Sequence, residues 1–84
     1  MSRIDIVSEI INDWDPIELF PYAPSDEYSC EVALINDFLD KFEHGIKLDL
    51  GYEIFQVFTK SFGDVFERDQ DECNAIADKI IKLI

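Results

Sequence analysis

The chain has 84 residues, which is the size of one domain and leaves no room for a separate catalytic lobe. Apolar residues make up 48% of it and aromatic residues 13%, so a core is expected rather than disorder. The 19 acidic and 7 basic residues give a net charge of −12, which would repel nucleic acid. We therefore expect a single acidic helical domain over residues 1–84 without a nucleic-acid partner.

The first helix is predicted from apolar residues that recur at intervals of three and four between Ile4 and Ile11. Ser2 precedes them and is suited to cap the N-terminus of a helix. A residue that precedes a proline disfavours helical geometry, so this helix is expected to end near Trp14.

A second capping signal follows directly. Asp15, Pro16 and Glu18 are residue types that helices favour at the N-cap, at the first helical position and at the third helical position, respectively. One short helical turn is therefore predicted here, closed by Pro21.

The next helix has the strongest pattern in the chain and is predicted to begin at Ser25 and to end at Gly45. Its apolar residues repeat at spacings of four and three and are expected to face the core. They are Tyr28, Val32, Ile35, Leu39 and Phe42, with Leu34 and Phe38 widening the stripe.

Residues 50–62 fit two structures. Their spacing and length favour a helix that begins at Asp49 and stops at Gly63. Their aromatic and β-branched residues are also typical of a strand, although helix is the favoured prediction. In the connection that follows, Val65 and Phe66 are expected to point inwards.

The last helix is predicted from a capping box formed by Asp69 and Glu72, followed by an apolar face from Cys73 to Ile84. Four helices joined by loops predict an all-α fold. The expected architecture is a small antiparallel four-helix bundle with a short helical turn between helices 1 and 2.

Residues that support catalysis or metal binding are scarce. His44 is the single histidine; its predicted place near a helix C-terminus is explained by the helix dipole and solvent rather than by catalysis, and one histidine leaves too few ligands for zinc. Neither Asp13 nor Asp69 begins a calcium-binding loop with glycine at its sixth position. We expect no enzyme activity, no cofactor and no metal site.

The spacing of the cysteines and the distribution of apolar residues indicate where in the cell the protein is located. Cys30 and Cys73 lack CxxC spacing and are expected to be reduced. Charged residues interrupt the N-terminal apolar positions, and no apolar run approaches the roughly 20 residues that span a bilayer. These features predict a cytoplasmic protein without membrane contact.

The negative charge is concentrated in one half of the chain. Residues 4–40 contain ten carboxylates and neither lysine nor arginine. A solvated acidic face explains this composition, but clustered acids beside aromatic residues also suit recognition of a basic protein. The candidate partner-binding residues are Asp13, Asp15, Glu18, Tyr22, Asp26, Glu27 and Glu31.

The first part of this region also carries a motif. Trp14-Asp15-Pro16-Ile17, Pro21 and Pro24-Ser25-Asp26-Glu27-Tyr28, followed by Glu31, resemble the W-D-P and P-x-D-E-Y signature of a bacterial domain family of unknown function. The resemblance implies an all-helical cytoplasmic domain with no established activity. It also implies a signature patch comprising Trp14, Asp15, Pro16, Asp26, Glu27 and Tyr28.

In architecture alone, the chain resembles the acidic helical immunity proteins that neutralise bacterial nuclease toxins. We therefore expect a non-enzymatic acidic module that docks on a basic protein surface, as an inhibitor or immunity-type protein. The alternative is a structural domain that self-associates as a homodimer through Trp14, Phe20 and Tyr22. The sequence leaves monomer and homodimer open.

Overall fold

A computed structural model describes residues 2–19, 27–41 and 47–84. These residues form the helices α1 (Arg3–Trp14), α2 (Ser29–Lys41), α3 (Lys47–Phe62) and α4 (Gln70–Leu83), with a 3₁₀ turn, Gly63–Val65, after α3. No strand occurs within the described ranges, and residues 50–62 are helical. The predicted all-α class is confirmed.

The helices pack in a ring, in which α1 and α3 each contact both α2 and α4. Arg3 at the start of α1 hydrogen-bonds to Asn36 just past the middle of α2 and pairs with Asp40 near its end. Trp14 at the end of α1 hydrogen-bonds to Glu72 near the start of α4. Helix α1 is therefore antiparallel to both of its neighbours, as expected for a small bundle.

Local sequence signals define several helix ends as predicted. Ser2 and Asp5 form a reciprocal capping box at the start of α1. The Asp69 carboxylate accepts a hydrogen bond from the Glu72 N–H at 2.8 Å and caps α4, but the reciprocal half of the predicted capping box does not form, and Glu72 Oε2 accepts from Trp14 Nε1. Gly63 ends α3 at a φ of +56°, which glycine adopts without the steric cost of a Cβ.

Two helix starts differ from the prediction. Residues 27–28 form a turn and α2 begins at Ser29, while the predicted start at Ser25 lies outside the described residues. Helix α3 begins at Lys47, two residues before the predicted cap Asp49. The predicted end at Gly45 also lies outside the described residues.

Within the described residues, the core draws on all four helices. Tyr28, which directly precedes α2, is fully buried with Ile35 and Ile54, and Phe66 is buried in the connection to α4, as predicted. Val65, by contrast, is 63% exposed, so the prediction that it points inwards is wrong.

An aromatic cluster fills the core at the end where α1 meets α2. Phe58 lies at its centre, edge-to-face with Trp14 at 5.6 Å and with Tyr28 at 5.9 Å between ring centroids. Its ring stacks on Phe62 at 5.9 Å and on Phe66 at 5.5 Å. Such pairs add to the burial energy and fix ring orientation, so this end of the bundle is rigidly supported.

No helix in the described part of the chain combines the length and the apolar character that crossing a bilayer requires.

Candidate functional site at the α1–α2 junction

The predicted site residues fall into three groups. Asp13, Glu18 and Glu27 are exposed around the connection from α1 to α2. Asp15 and Glu31 are turned into the protein, and Tyr22 and Asp26 lie outside the described residues. We call the described residues 13–19 and 27–31 the junction.

Asp15 is an internal hydrogen-bond acceptor. Its Oδ1 accepts from the Tyr28 hydroxyl at 2.6 Å and from the Leu19 N–H at 2.8 Å. Its backbone N–H donates to the Ile11 carbonyl. Helix α1 ends here, because Asp15 has a left-handed φ of +47°. The predicted helix N-cap at Asp15 is therefore wrong: this residue is the C-cap of α1.

A single hydrogen-bonded turn occupies the place of the predicted helical turn. The Glu18 N–H donates to the Asp15 carbonyl at 3.0 Å, and Glu18 itself has a φ of +56°. Because Glu18 adopts left-handed geometry, this single turn does not continue as a helix through residues 18–19, and Pro21, where the predicted turn closes, lies outside the described residues. Glu18 is left exposed at the surface of the junction.

Tyr28 links the two sides of the junction. Besides donating to Asp15, its hydroxyl oxygen accepts a hydrogen bond from the Ile17 N–H at 3.3 Å. Burial raises the pKa of the Tyr28 hydroxyl well above its usual value, and the neighbouring Asp15 carboxylate raises that pKa further. Tyr28 is therefore a neutral donor that fastens the connecting segment to the start of α2.

Glu31 is only 6% exposed, although a partner-binding residue would need to reach the surface. Its Oε1 is buried and has no hydrogen-bond partner among the described residues. The signal was present in the sequence, because Glu31 is three residues after Tyr28 and four before Ile35, both of which are buried. Helical spacing thus carries Glu31 towards the inner side of α2.

Sequence analysis missed the contacts that tie the junction to α4. Arg68 Nε donates to the Pro16 carbonyl at 3.0 Å and lies 3.5 Å from Glu72 Oε2. The same Glu72 oxygen accepts from Trp14 Nε1 at 2.6 Å. The i, i+4 spacing of Arg68 and Glu72 predicts their ion pair, but only the fold brings Trp14 and Pro16 to it.

These contacts bear on the predicted dimer surface. The Trp14 ring packs against Phe58 and Phe66 of its own chain, and its N–H is bonded to Glu72. Phe20 and Tyr22 lie outside the described residues. Trp14 therefore gives no support to a homodimer formed through these aromatic residues.

An acidic row runs along α1. Its members, Asp5, Glu9 and Asp13, are exposed and follow one another at intervals of four, which places them along one face of the helix. The ion pairs found between described residues are Arg3–Asp40, Arg68–Glu72 and Lys82–Asp78. None of them includes a member of the row; Asp5 is hydrogen-bonded in the capping box of α1, whereas Glu9 and Asp13 face solvent without an ion-pair partner among the described residues.

A second surface feature is a groove of about 400 Å³ between α2 and α3. Leu34 of α2 and Tyr52 of α3 line it and are 50% and 60% exposed. Val57, Glu53 and Lys60 of α3 complete much of its surface. The prediction that Leu34 widens the core stripe is wrong, because α3 leaves this side of α2 open.

Groups that carry chemistry are dispersed in the described part of the chain. No set of three or more His, Cys, Asp or Glu side chains converges there on a metal position. Cys30 is exposed on α2 and Cys73 is buried on α4, and both are free thiols. Burial, with smaller contributions from Glu72 and Asp69, raises the pKa of the Cys73 thiol to about 12.

No protein-family model matches this chain, and comparison with curated proteins and with solved structures gives no match either. Function is therefore inferred from geometry and charge alone.

Proposed function

We propose that this protein is a non-enzymatic binding module that docks its acidic α1 side on a basic protein. The form of this function that we favour is an inhibitor or immunity-type protein of the bacterial cytoplasm. The observation that carries the proposal is the exposed acidic row on α1, whose members form no ion pair with any described residue.

The acidic row continues into the junction. Asp13, Glu18 and Glu27 are exposed, and each lies within three residues of the Asp15–Tyr28 hydrogen bond. Like charges gathered in this way repel one another and lower stability, whereas a cationic partner would relieve that repulsion. Their field would also speed the encounter with such a partner.

The support beneath these carboxylates favours binding as well. Asp15 fixes the connecting segment to Tyr28, and Arg68 fixes it to α4 through the Pro16 carbonyl. Segments that are already ordered lose less conformational entropy when a partner binds. The exposed acids at the junction are thus presented from a prearranged backbone.

The test compares two variants with the same net charge, each of which neutralises four exposed carboxylates. The site variant is E9Q/D13N/E18Q/E27Q. The control variant, in the connection from α3 to α4 and at the start of α4, is D64N/E67Q/D69N/D71N, in which the asparagine that replaces Asp69 can still cap α4. Immobilised wild-type and variant proteins capture proteins from the native lysate at low and high salt, and mass spectrometry identifies those retained.

We expect a basic protein to be retained by the wild type and the control variant and lost from the site variant. Its capture should also weaken at an ionic strength where the Debye length falls to a few ångströms, about 1 M. Circular dichroism would establish that both variants fold. Equal capture by the two variants would refute the acidic α1 surface as the binding site.

A further inference from the structure

We infer that the groove between α2 and α3 binds one basic amphipathic helix of the partner protein. The inference rests on the proposed function and adds to it a second contact surface and the partner's secondary structure. It is argued from the shape of the groove, its exposed apolar side chains and the charges around it.

The shape of the groove suits a helix. Tyr52, Gln56 and Lys60 follow one another at intervals of four along α3 and form one ridge of its lining. At 1.5 Å per residue, this ridge extends for about 12 Å, a little over two helical turns. Leu34 lines the opposite side from α2, so the groove lies between two helices, where a third helix packs by ridge-into-groove contact.

The centre of the groove is apolar. Leu34 and Tyr52 are exposed on its two sides, and Val57, which also lines the groove, is buried. Tyrosine is enriched among the residues that dominate binding energy, because it offers a large rigid surface and a polar end. Two or three apolar side chains at helical spacing on the partner would cover this centre.

The rim of the groove sets the charge of the occupant. Glu53 lines the groove, and Asp49 is exposed one turn earlier on α3. On α2, Asp37 is exposed three residues after Leu34. Lys60 in the lining and Lys41 at the end of α2 oppose these three carboxylates, which leaves a negative balance that favours a basic helix.

Other occupants fit less well. A second copy would bring the same carboxylates, and a net charge of −12, against each other. A standard interface buries about 800 Å² on each partner, far more than two half-exposed side chains provide. An added strand needs an open sheet edge, and the described residues form no sheet.

The probe for the test is a fluorescein-labelled peptide of about 14 residues, with leucines on one helical face and lysines elsewhere. A peptide of the same composition with alternating leucine and lysine serves as its control, because it has no apolar helical face. Fluorescence anisotropy measures their affinities, and chemical shift changes in the ¹⁵N-labelled protein locate the bound peptide.

We expect the helical peptide to bind the wild type and to bind L34S/Y52S at least about tenfold more weakly. Val65 is equally exposed but lies outside the groove, so V65S should bind like the wild type. Glu53→Gln should weaken binding and Lys60→Gln should strengthen it. The distant Glu67→Gln and Lys79→Gln change the net charge equally and should have smaller effects.

The outcomes separate the two proposals. Unchanged affinity in L34S/Y52S, or a wild-type dimer that this double variant dissociates in sedimentation, would overturn the groove inference. If E9Q/D13N/E18Q/E27Q alone lowered the affinity for the peptide, the groove would be excluded as the binding site, while the acidic α1 surface would remain a candidate. If L34S/Y52S lost affinity for the helical peptide and E9Q/D13N/E18Q/E27Q did not, the result would support the groove as the binding site and count against the acidic α1 surface.

Discussion

The hydrogen bond from Tyr28 to Asp15 joins residues 13 positions apart and holds the junction closed. Its acceptor oxygen also receives the Leu19 N–H, so one carboxylate oxygen orders both the turn and the approach to α2. Hydrogen bonds to a charged acceptor contribute more than those between neutral groups, about 1.5–3 kcal/mol. Tyr28 should therefore be among the most sensitive positions in the chain.

Tyr28→Phe keeps the buried ring and removes the hydroxyl, and we expect it to lower the free energy of unfolding by about 1–3 kcal/mol. Burial and then Asp15 raise the Tyr28 pKa in the folded state. The unfolded chain therefore ionises first, and stability present below about pH 10 is lost as the pH rises further.

Thermal melting between about pH 8 and pH 11 measures this effect. The wild-type Tm should fall more steeply above about pH 10 than the Tm of Tyr28→Phe. Exposed Tyr52 supplies the control, because Tyr52→Phe should keep the wild-type slope. Parallel curves for the wild type and Tyr28→Phe would show that the Tyr28 hydroxyl is not protected in the folded protein.

The two thiols should differ in reactivity. Cys30 is exposed, whereas Cys73 is fully buried with a pKa raised to about 12. Because the thiolate is the reacting species, a disulfide reagent at about pH 8 should modify one thiol rapidly and the other only after unfolding. Cys30→Ser should abolish the rapid phase. A rapid phase of two thiols per chain would contradict the burial of Cys73.

At the scale of elements, α3 and α4 lie close together at Gly51. A Cβ on Gly51 would lie 1.9 Å from Asn74 Oδ1 and 3.0 Å from Asn74 Cα. The Asn74 side chain is also held by Gln70 Nε2 at 2.9 Å. The absent side chain of Gly51 thus allows the two helices to pack together.

Gly51→Ala should lower the free energy of unfolding by about 1–3 kcal/mol, because overpacking outweighs the gain in helix propensity of about 1 kcal/mol. Chemical denaturation measures the loss. Asn74→Ala in the Gly51→Ala background should restore part of it by removing the clash with Oδ1, while the crowding against the α4 backbone remains. A stabilised Gly51→Ala protein would show that the helices lie further apart.

The sequence predicted features that depend on residues close together in the chain, and it missed features that depend on distant residues. The Ser2 and Asp69 caps and the end of α3 at Gly63 depend on residues within four positions, and all three are confirmed. Asp15 has equally strong local signals for an N-cap, but it ends α1 at a φ of +47° and its carboxylate bonds to Tyr28, 13 positions away. A local pattern cannot reveal a contact at that distance along the chain.

The candidate site shows the same limit. Glu31 could have been placed inside from its spacing to Tyr28 and Ile35 alone. The exposure of Leu34 could not have been predicted from the sequence. Whether an apolar residue at the edge of a stripe is buried depends on how closely the neighbouring helix packs beside it. The groove that Leu34 lines with Tyr52 is therefore a property of the α2–α3 packing.

At the scale of the whole molecule, the acid-rich half of the sequence supplies two neighbouring helices of the bundle. Residues 4–40 span α1 and α2, which pack against each other, and carry ten carboxylates without a lysine or arginine. Within the described residues, the Arg3–Asp40 pair is the one ion pair that crosses from α1 to α2. Repulsion among the carboxylates of these two helices should lower stability most at low ionic strength, where screening is weak.

E9Q/D13N removes two members of the acidic row and should raise the free energy of unfolding by about 0.5 kcal/mol at low salt. That gain corresponds to an increase in Tm of about 2–4 °C for a domain of this size. Added salt should raise the wild-type Tm and reduce the difference between the two proteins. Scanning calorimetry at several salt concentrations measures both effects.

Asp40→Asn distinguishes local repulsion from total charge, since it also reduces the net charge but breaks the pair with Arg3. We expect it to leave Tm unchanged or to lower it. An increase as large as that of a single Glu9→Gln would mean that only the total charge matters. If E9Q/D13N instead melted at or below the wild-type Tm in low salt, these carboxylates would be compensated within the fold, and the charge argument for a basic partner would lose its basis.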